Sequence, residues 1–136
     1  MKQNAYAYRI VNLLLALVVL GVFAYSLMYA PGKHPIPSIF TDITGVETPS
    51  TGLSAAFSEL VRGNLNLAKI NNAYVLQIFS FFVLQLLLRV SLIFVSAKTN
   101  RLKMVVWLDV TFSLALFIYC FWPFVQFIFK MAKLLA

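Results

Sequence analysis

Acidic residues and cysteine are scarce in this chain. It has 4 Asp and Glu residues against 11 Lys and Arg, a single cysteine, and charged residues at only 11% of its 136 positions. One cysteine excludes an intrachain disulfide, and with one histidine it gives no ligand set for a metal, so we expect no cofactor. The scarcity of charge excludes a soluble globule, which needs polar residues over its whole surface.

Long apolar runs are abundant instead. Hydrophobic residues make up 62% of the chain, and they concentrate at residues 8–30, 74–97 and 104–124. Each run is near or beyond the ~20 residues that a helix needs to cross ~30 Å of hydrocarbon. The sequence therefore predicts an all-α membrane protein with three transmembrane helices, built as a single membrane domain over residues 1–136.

The basic residues favour one orientation in the membrane. Lys2 and Arg9 lie on the same side as the short turn between the second and third spans, which contains Lys98, Arg101 and Lys103. Each side receives five basic residues, so loop length decides, and the positive-inside rule places the N-terminus and the short turn in the cytoplasm. Because the basic residues are scattered, we expect them to contact the lipid bilayer and not nucleic acid.

Two charged residues, Arg89 and Asp109, lie well inside the apolar runs. Counted from the turn that joins their helices, both lie ~8–12 Å into the same leaflet. An unpaired charge at this depth costs at least ~2–3 kcal/mol, so we expect them to pair and fix the helical hairpin. A contact with another subunit and a proton or ion path are the alternatives. The other polar candidates in the runs are Asn12, Gln85, Thr111 and Ser113.

The loop at residues 31–72 is long enough to need a function of its own. Its first part is rich in proline, and its second part has apolar residues at helical spacing from Leu53 to Val61. This spacing predicts a short amphipathic helix that Gly63 ends, with Ser58 among the polar residues on the opposite face. We expect it in the outer interface or folded back on the bundle, and a partner-binding surface is compatible with either. The loop residues singled out for this surface are Pro37, Thr44, Gly45, Pro49, Gly52, Phe57, Glu59, Arg62 and Gly63.

The end of the chain is also amphipathic. Pro123 is expected to mark the end of the third span, and residues 125–136 carry Lys130 and Lys133 among apolar residues. This pattern predicts a C-terminal interfacial helix or helix extension whose lysines reach back to water. A short or re-entrant fourth crossing is the alternative.

The loop residues resemble a family of small bacterial membrane proteins, the domain of unknown function 2752. The residues that carry the resemblance are Ile36-Pro37, Thr44-Gly45, Pro49, Gly52, Ala56, Gly63, Ala68 and Asn71 or Asn72. This chain departs from the family pattern by having Ile36, Thr48 and Thr51 at cysteine positions, Ala55 at an arginine position and Asn64 at an acidic one. The resemblance implies a retained loop shape and a bacterial membrane setting, without thiol chemistry and with no activity attached.

No catalytic motif accompanies these features, because the loop hydroxyls have no evident base and we therefore expect no enzyme. The preferred hypothesis is a small non-catalytic subunit that stabilises a larger bacterial inner-membrane complex, with other integral membrane subunits as partners. The first alternative is a homo-oligomeric channel or transporter that uses Arg89 and Asp109. A third class is an enzyme or lipid-binding module that uses the outer loop.

Overall fold

The computed structural model describes residues 2–31, 45 and 48–135, and Pro37 and Thr44 lie outside this part of the chain. Over the described residues the protein is all-helical, without a strand, as the sequence predicts. The helices there are α1 (Lys2–Met28), α2 (Leu53–Val61), α3 (Leu65–Asn71), α4 (Val75–Lys98), α5 (Leu102–Cys120) and α6 (Trp122–Leu135).

Three of these helices are long and apolar enough to cross a membrane. They are Asn4–Met28 in α1, Val75–Lys98 in α4 and Leu102–Cys120 in α5. The prediction of a membrane protein with three spans is therefore confirmed. The third span, α5, ends at Cys120 and so before the predicted end at residue 124. The reason is that the chain leaves helical geometry at Phe121 and that the ring nitrogen of Pro123 has no hydrogen to donate.

The C-terminal helix is a separate element. Pro123 occupies its first turn, where the missing N–H has no intrahelical partner to lose. The 14 residues of α6 rise about 21 Å, which is short of the ~30 Å of hydrocarbon. Of the predicted alternatives, this length favours a separate C-terminal interfacial helix over a fourth crossing.

The three long helices do not pack equally. α1 packs along α4, and α5 returns beside α4 after the short connection at residues 99–101. Over an apolar stretch of 18 residues in α1 and in α4, 22% of the residues are buried, whereas in the corresponding stretch of α5 the share is 6%. α5 therefore leaves most of its surface open to its surroundings.

A small apolar core lies at the loop end of the bundle. Phe57 of α2 meets Phe79 and Phe82 of α4 edge-on, with ring centroids 5.4 and 5.7 Å apart, a geometry that aromatic quadrupoles favour. Around it are the buried residues Ala56, Ala68, Val75 and Ile78. The amphipathic helix thus folds back on the bundle, one of the two positions that its apolar stripe predicts.

Two details of this region differ from the sequence prediction. Ser58, expected on the polar face of α2, is fully buried, because α2 contacts α1, α3 and α4 and is covered on more than one side. α3 was not predicted. Its apolar residues Leu65 and Leu67 are exposed, and their alternating spacing gives no helical stripe to recognise.

Glycines set the bends of the loop. Gly63, with φ 86°, ends α2 as predicted: its N–H donates to the carbonyl of Leu60 over 3.0 Å, and the N–H of Asn64 donates to Glu59 over 2.9 Å. This is the Schellman pattern, which favours glycine in the left-handed conformation. Gly52, with φ 72°, faces the backbone carbonyl of Asn71 so closely that a Cβ would clash with it.

Asn72 fastens the start of α4 to the turn before α2. Its amide nitrogen donates to the carbonyls of Pro49 and Thr51 over 2.8 and 2.9 Å, and its side-chain oxygen accepts from the backbone N–H of Tyr74. The residue is 6% exposed. These bonds hold the turn before α2 against the start of α4.

Candidate functional site

Arg89 of α4 and Asp109 of α5 meet inside the bundle. Nη2 of Arg89 lies 2.9 Å from Oδ1 of Asp109, and Nη1 donates to Oδ2 over 2.9 Å. The residues are 7% and 6% exposed. The pair thus combines one charge-assisted hydrogen bond with a second close ionic contact, and hydrogen bonds between charged groups are stronger than neutral ones.

The remaining donors of Arg89 are directed at three neutral side chains. Nε and Nη2 donate to Oε1 of Gln85 over 3.2 and 2.9 Å, and Nη1 donates to Oδ1 of Asn12 over 2.9 Å. Nη2 also donates to Oγ of Ser113 over 2.6 Å. All three guanidinium nitrogens therefore take part in hydrogen bonds, as a buried arginine requires.

The carboxylate of Asp109 also has several hydrogen-bond donors. The hydroxyl of Tyr8 donates to Oδ2 over 2.6 Å, and the hydroxyl of Ser113 donates to Oδ1 over 3.1 Å. The amide nitrogen of Asn12 donates to the backbone carbonyl of Tyr8 over 2.9 Å, which fixes the orientation of its oxygen toward Arg89. We refer to these six residues, Tyr8, Asn12, Gln85, Arg89, Asp109 and Ser113, as the polar network.

The polar network follows a simple rule of position. Each of α1, α4 and α5 supplies two of its residues, and in every case they are four positions apart. Residues at this spacing lie on one helix face, one turn above the other. Three such pairs in three apolar helices are a signal present in the sequence. The signal is visible only when the residues are taken in pairs, so the sequence analysis places Tyr8 at the start of the first run and does not predict it as a site residue.

Thr111 lies outside the polar network. It is a polar candidate in the third run, but it is exposed, because it is two positions from Asp109 and Ser113 and so on a different helix face. The structure thus separates it from Asn12, Gln85 and Ser113, the other polar candidates.

Arg62 forms a second polar contact, at the opposite end of α1. Its Nη1 donates to the carbonyls of Ser58 and Ser26 over 2.7 and 3.1 Å, and Nη2 donates to those of Leu27 and Tyr29 over 2.8 and 3.3 Å. The last carbonyls of a helix lack intrahelical partners and carry partial negative charge. Arg62 therefore caps α1 and ties α2 to it.

The other described residues that were predicted to form a loop surface are in the core, in hydrogen bonds within the loop, or at its bends. Phe57 is buried in the core, and a carboxylate oxygen of Glu59 accepts from Asn64 Nδ2 over 2.7 Å. Gly45, Gly52 and Gly63 have positive φ, and the carbonyl of Pro49 accepts a hydrogen bond from Nδ2 of Asn72. Several of these residues hold the loop in shape and leave few side chains free for a partner.

The chemistry available to the polar network is charge compensation. Its carboxylate accepts three hydrogen bonds, from Tyr8, Arg89 and Ser113, and has a further ionic contact with Nη2 of Arg89. Within the described ranges, no group of three or more His, Cys, Asp or Glu residues could hold a metal ion.

No family model matches the chain, and neither a curated protein nor a solved structure is significantly similar to it. The resemblance of the loop to the domain of unknown function 2752 therefore stays a prediction. The functional interpretation depends on packing and electrostatics alone.

Proposed function

We propose that the protein is a small non-catalytic subunit of a larger bacterial inner-membrane complex, in which α5 packs against another integral membrane protein. The observation that carries this proposal is the low coverage of α5, whose buried residues are Asp109 and Cys120. In lipid, no hydrophobic force drives one apolar helix onto another, so close packing and polar contacts must hold it. The polar network and a hydrogen bond from Nε2 of Gln77 to the carbonyl of Tyr119 attach one face of α5 to the bundle, and a partner helix would cover the rest of α5.

The open surface of α5 suits a helical partner. Thr111 and Ala115 are small, exposed and one turn apart, and small residues let two helix backbones approach closely. The larger exposed side chains on this helix include Trp107, Leu108, Val110, Phe112, Leu114 and Ile118.

A homo-oligomeric channel or transporter using Arg89 and Asp109 is the weaker proposal. Both side chains are enclosed between helices of one chain, and their hydrogen bonds are made there. An ion or proton path would need them to face an open route. Replacing both by Leu separates the proposals: loss of insertion or assembly supports the subunit, whereas loss of flux with assembly intact supports transport.

For the orientation, we propose that the N-terminus and the turn after α4 face the cytoplasm. Arg9, Arg101 and Lys103 line one cavity, so the start of α1 and the turn share one end of the bundle. Cysteine labelling at Thr99 and at Thr48, in a Cys120→Ala background, tests this. Labelling of Thr99 from the outside of intact cells would overturn it.

The loop geometry supports the proposed kinship with the domain of unknown function 2752. Gly45, Gly52 and Gly63 carry part of the resemblance, and all three have positive φ, at 65°, 72° and 86°. Residues with side chains adopt such φ values at a cost. A shared backbone path is therefore a physical reason for shared glycines.

Photocrosslinking in native membranes tests the subunit proposal. A photoreactive amino acid is placed at Ala115 on α5 or, as the matched control, at Val18 on α1, which is 65% exposed. We expect a protein adduct of one defined mass from Ala115 and only lipid adducts from Val18. Lipid adducts alone at both positions, together with a monomer in mild detergent, would contradict the proposal.

A further inference from the structure

A cavity of about 900 Å³ lies at the end of the bundle where α4 turns into α5. It opens between the N-terminal part of α1 and residues 96–104, and its volume is in the range of sites that hold small molecules. The polar side chains in its lining include Arg9, Ser96, Thr99, Asn100, Arg101 and Lys103.

The charge of this cavity is of one sign. Its lining contains three cationic side chains and no carboxylate, and residues 60–108 of the sequence contain no Asp or Glu at all. Asp109 is the next acidic residue along the chain, and both of its carboxylate oxygens contact other members of the polar network. Among the described residues, the cations of the cavity therefore have no carboxylate with which to pair.

Unused donors point to an anion. Nε of Arg9 is buried and makes no hydrogen bond within the described part of the chain, and a buried unsatisfied donor is costly. The first turn of α5 contains no acidic residue, and no side chain caps it. The free N–H groups of a helix start favour a negative group nearby.

An apolar groove continues from the cavity along α5. A smaller cavity of about 280 Å³ shares Leu102 and Lys103 with the larger one and is also lined by Tyr8, Val106 and Trp107. Basic and apolar surfaces thus adjoin at the end of a membrane-spanning bundle. This combination suits a molecule with an anionic head and a hydrocarbon chain.

We propose that the large cavity binds the phosphate of an anionic phospholipid, with Arg9, Arg101 and Lys103 as its contacts and one acyl chain against Val106 and Trp107. Arginine donates to two phosphate oxygens at once, and basic pockets between membrane helices suit anionic headgroups. The site adjoins the polar network through Tyr8, and it does not depend on the proposed subunit function.

Native mass spectrometry of the full chain tests the site. The protein is reconstituted in nanodiscs that contain phosphatidylglycerol, cardiolipin and phosphatidylcholine, and the lipids retained on release are counted. The variant Arg101→Gln/Lys103→Gln removes two exposed cations, and Lys130→Gln/Lys133→Gln on α6 is a control with the same change of charge. We expect retained anionic lipid to fall about fivefold or more in the first variant and to change little in the control.

Two further measurements complete the test. Arg9→Gln, checked for folding by circular dichroism, is expected to lower retention by a similar factor; if it misfolds, the exposed-residue variant alone decides. Excess inorganic phosphate is expected to leave the lipid bound, and full displacement would show a free-anion site and overturn the lipid assignment. Equal retention by wild type and Arg101→Gln/Lys103→Gln, or equal loss in the control, would overturn the proposal altogether.

Discussion

Arg89 shows how a charged residue can be accommodated in a membrane-spanning bundle. Its charge is matched by one carboxylate, and its other donors reach Asn12, Gln85 and Ser113. A buried pair can be a poor stabiliser relative to apolar residues of similar volume, yet removing one partner leaves a charge unmatched. The consequence at the residue scale is strong coupling within the polar network.

A double-mutant cycle measures this coupling. We expect Asp109→Leu alone to lower the free energy of unfolding in bicelles by ~3–5 kcal/mol, since Arg89 stays buried without its counter-charge. Arg89→Leu/Asp109→Leu should cost clearly less than the two single variants added together. Steric trapping or denaturant titration gives the values. Additive losses would show that the two side chains act independently.

The neutral members of the polar network should contribute less. We expect Ser113→Ala to cost ~0.6–1.7 kcal/mol, which extends from the average to the maximum for side-chain hydrogen bonds between membrane helices. Thr111→Val on the same helix is the matched control, because Thr111 is exposed, and its free energy of unfolding should barely change. Equal effects in the same unfolding assay would mean that helix propensity dominates and the hydrogen bonds of Ser113 do not.

At the scale of elements, the sequence indicates some contacts and hides others. The apolar runs predict the three spans because hydrocarbon thickness fixes their length, and depth counting brings Arg89 and Asp109 to one level. The position of α2 depends on contacts with three other helices. These contacts join residues far apart in the chain, and a local sequence pattern cannot show them, so the sequence does not predict the burial of Ser58. Arg62 was missed as a cap because its partners are backbone carbonyls, which every sequence has.

Capping by Arg62 gives a prediction for α1 and α2 together. Arg62→Met keeps much of the aliphatic stem but removes the donors to Ser26, Leu27 and Ser58. A loss of about 1.4 kcal/mol in local stability makes amide hydrogens in α2 exchange about tenfold faster, and we expect at least this change. Arg62→Lys should restore only part of the protection, since a point charge cannot reach several carbonyls in a fixed fork. Lys69→Met, at an exposed position of α3, is the control and should leave exchange unchanged. Full rescue by lysine would reduce the role of Arg62 to charge alone.

At the scale of the whole molecule, the bundle has a tight pair and an attached helix. α1 and α4 pack along their length, and α2 and α3 close one end over the core. α5 is held near its middle by Asp109 and Ser113, and at its end by buried Cys120 and by the hydrogen bond from Gln77 to the carbonyl of Tyr119. Its position in the molecule therefore depends on few contacts. This arrangement is expected of a helix whose exposed surface packs against a partner protein.

Distances between spin labels test this dependence. Labels at Leu87 of α4 and Leu114 of α5, both exposed, are placed in a Cys120→Ala background, and a second pair joins Leu87 to Val18 of α1. We expect Asp109→Leu to broaden and lengthen the Leu87–Leu114 distances while the Leu87–Val18 distances stay unchanged. The physical reason is that α1 and α4 share an extended packed surface, whereas α5 loses its main polar attachment. If both distance distributions broadened together, the polar network would hold the entire bundle and α5 could not be treated as a separately attached helix.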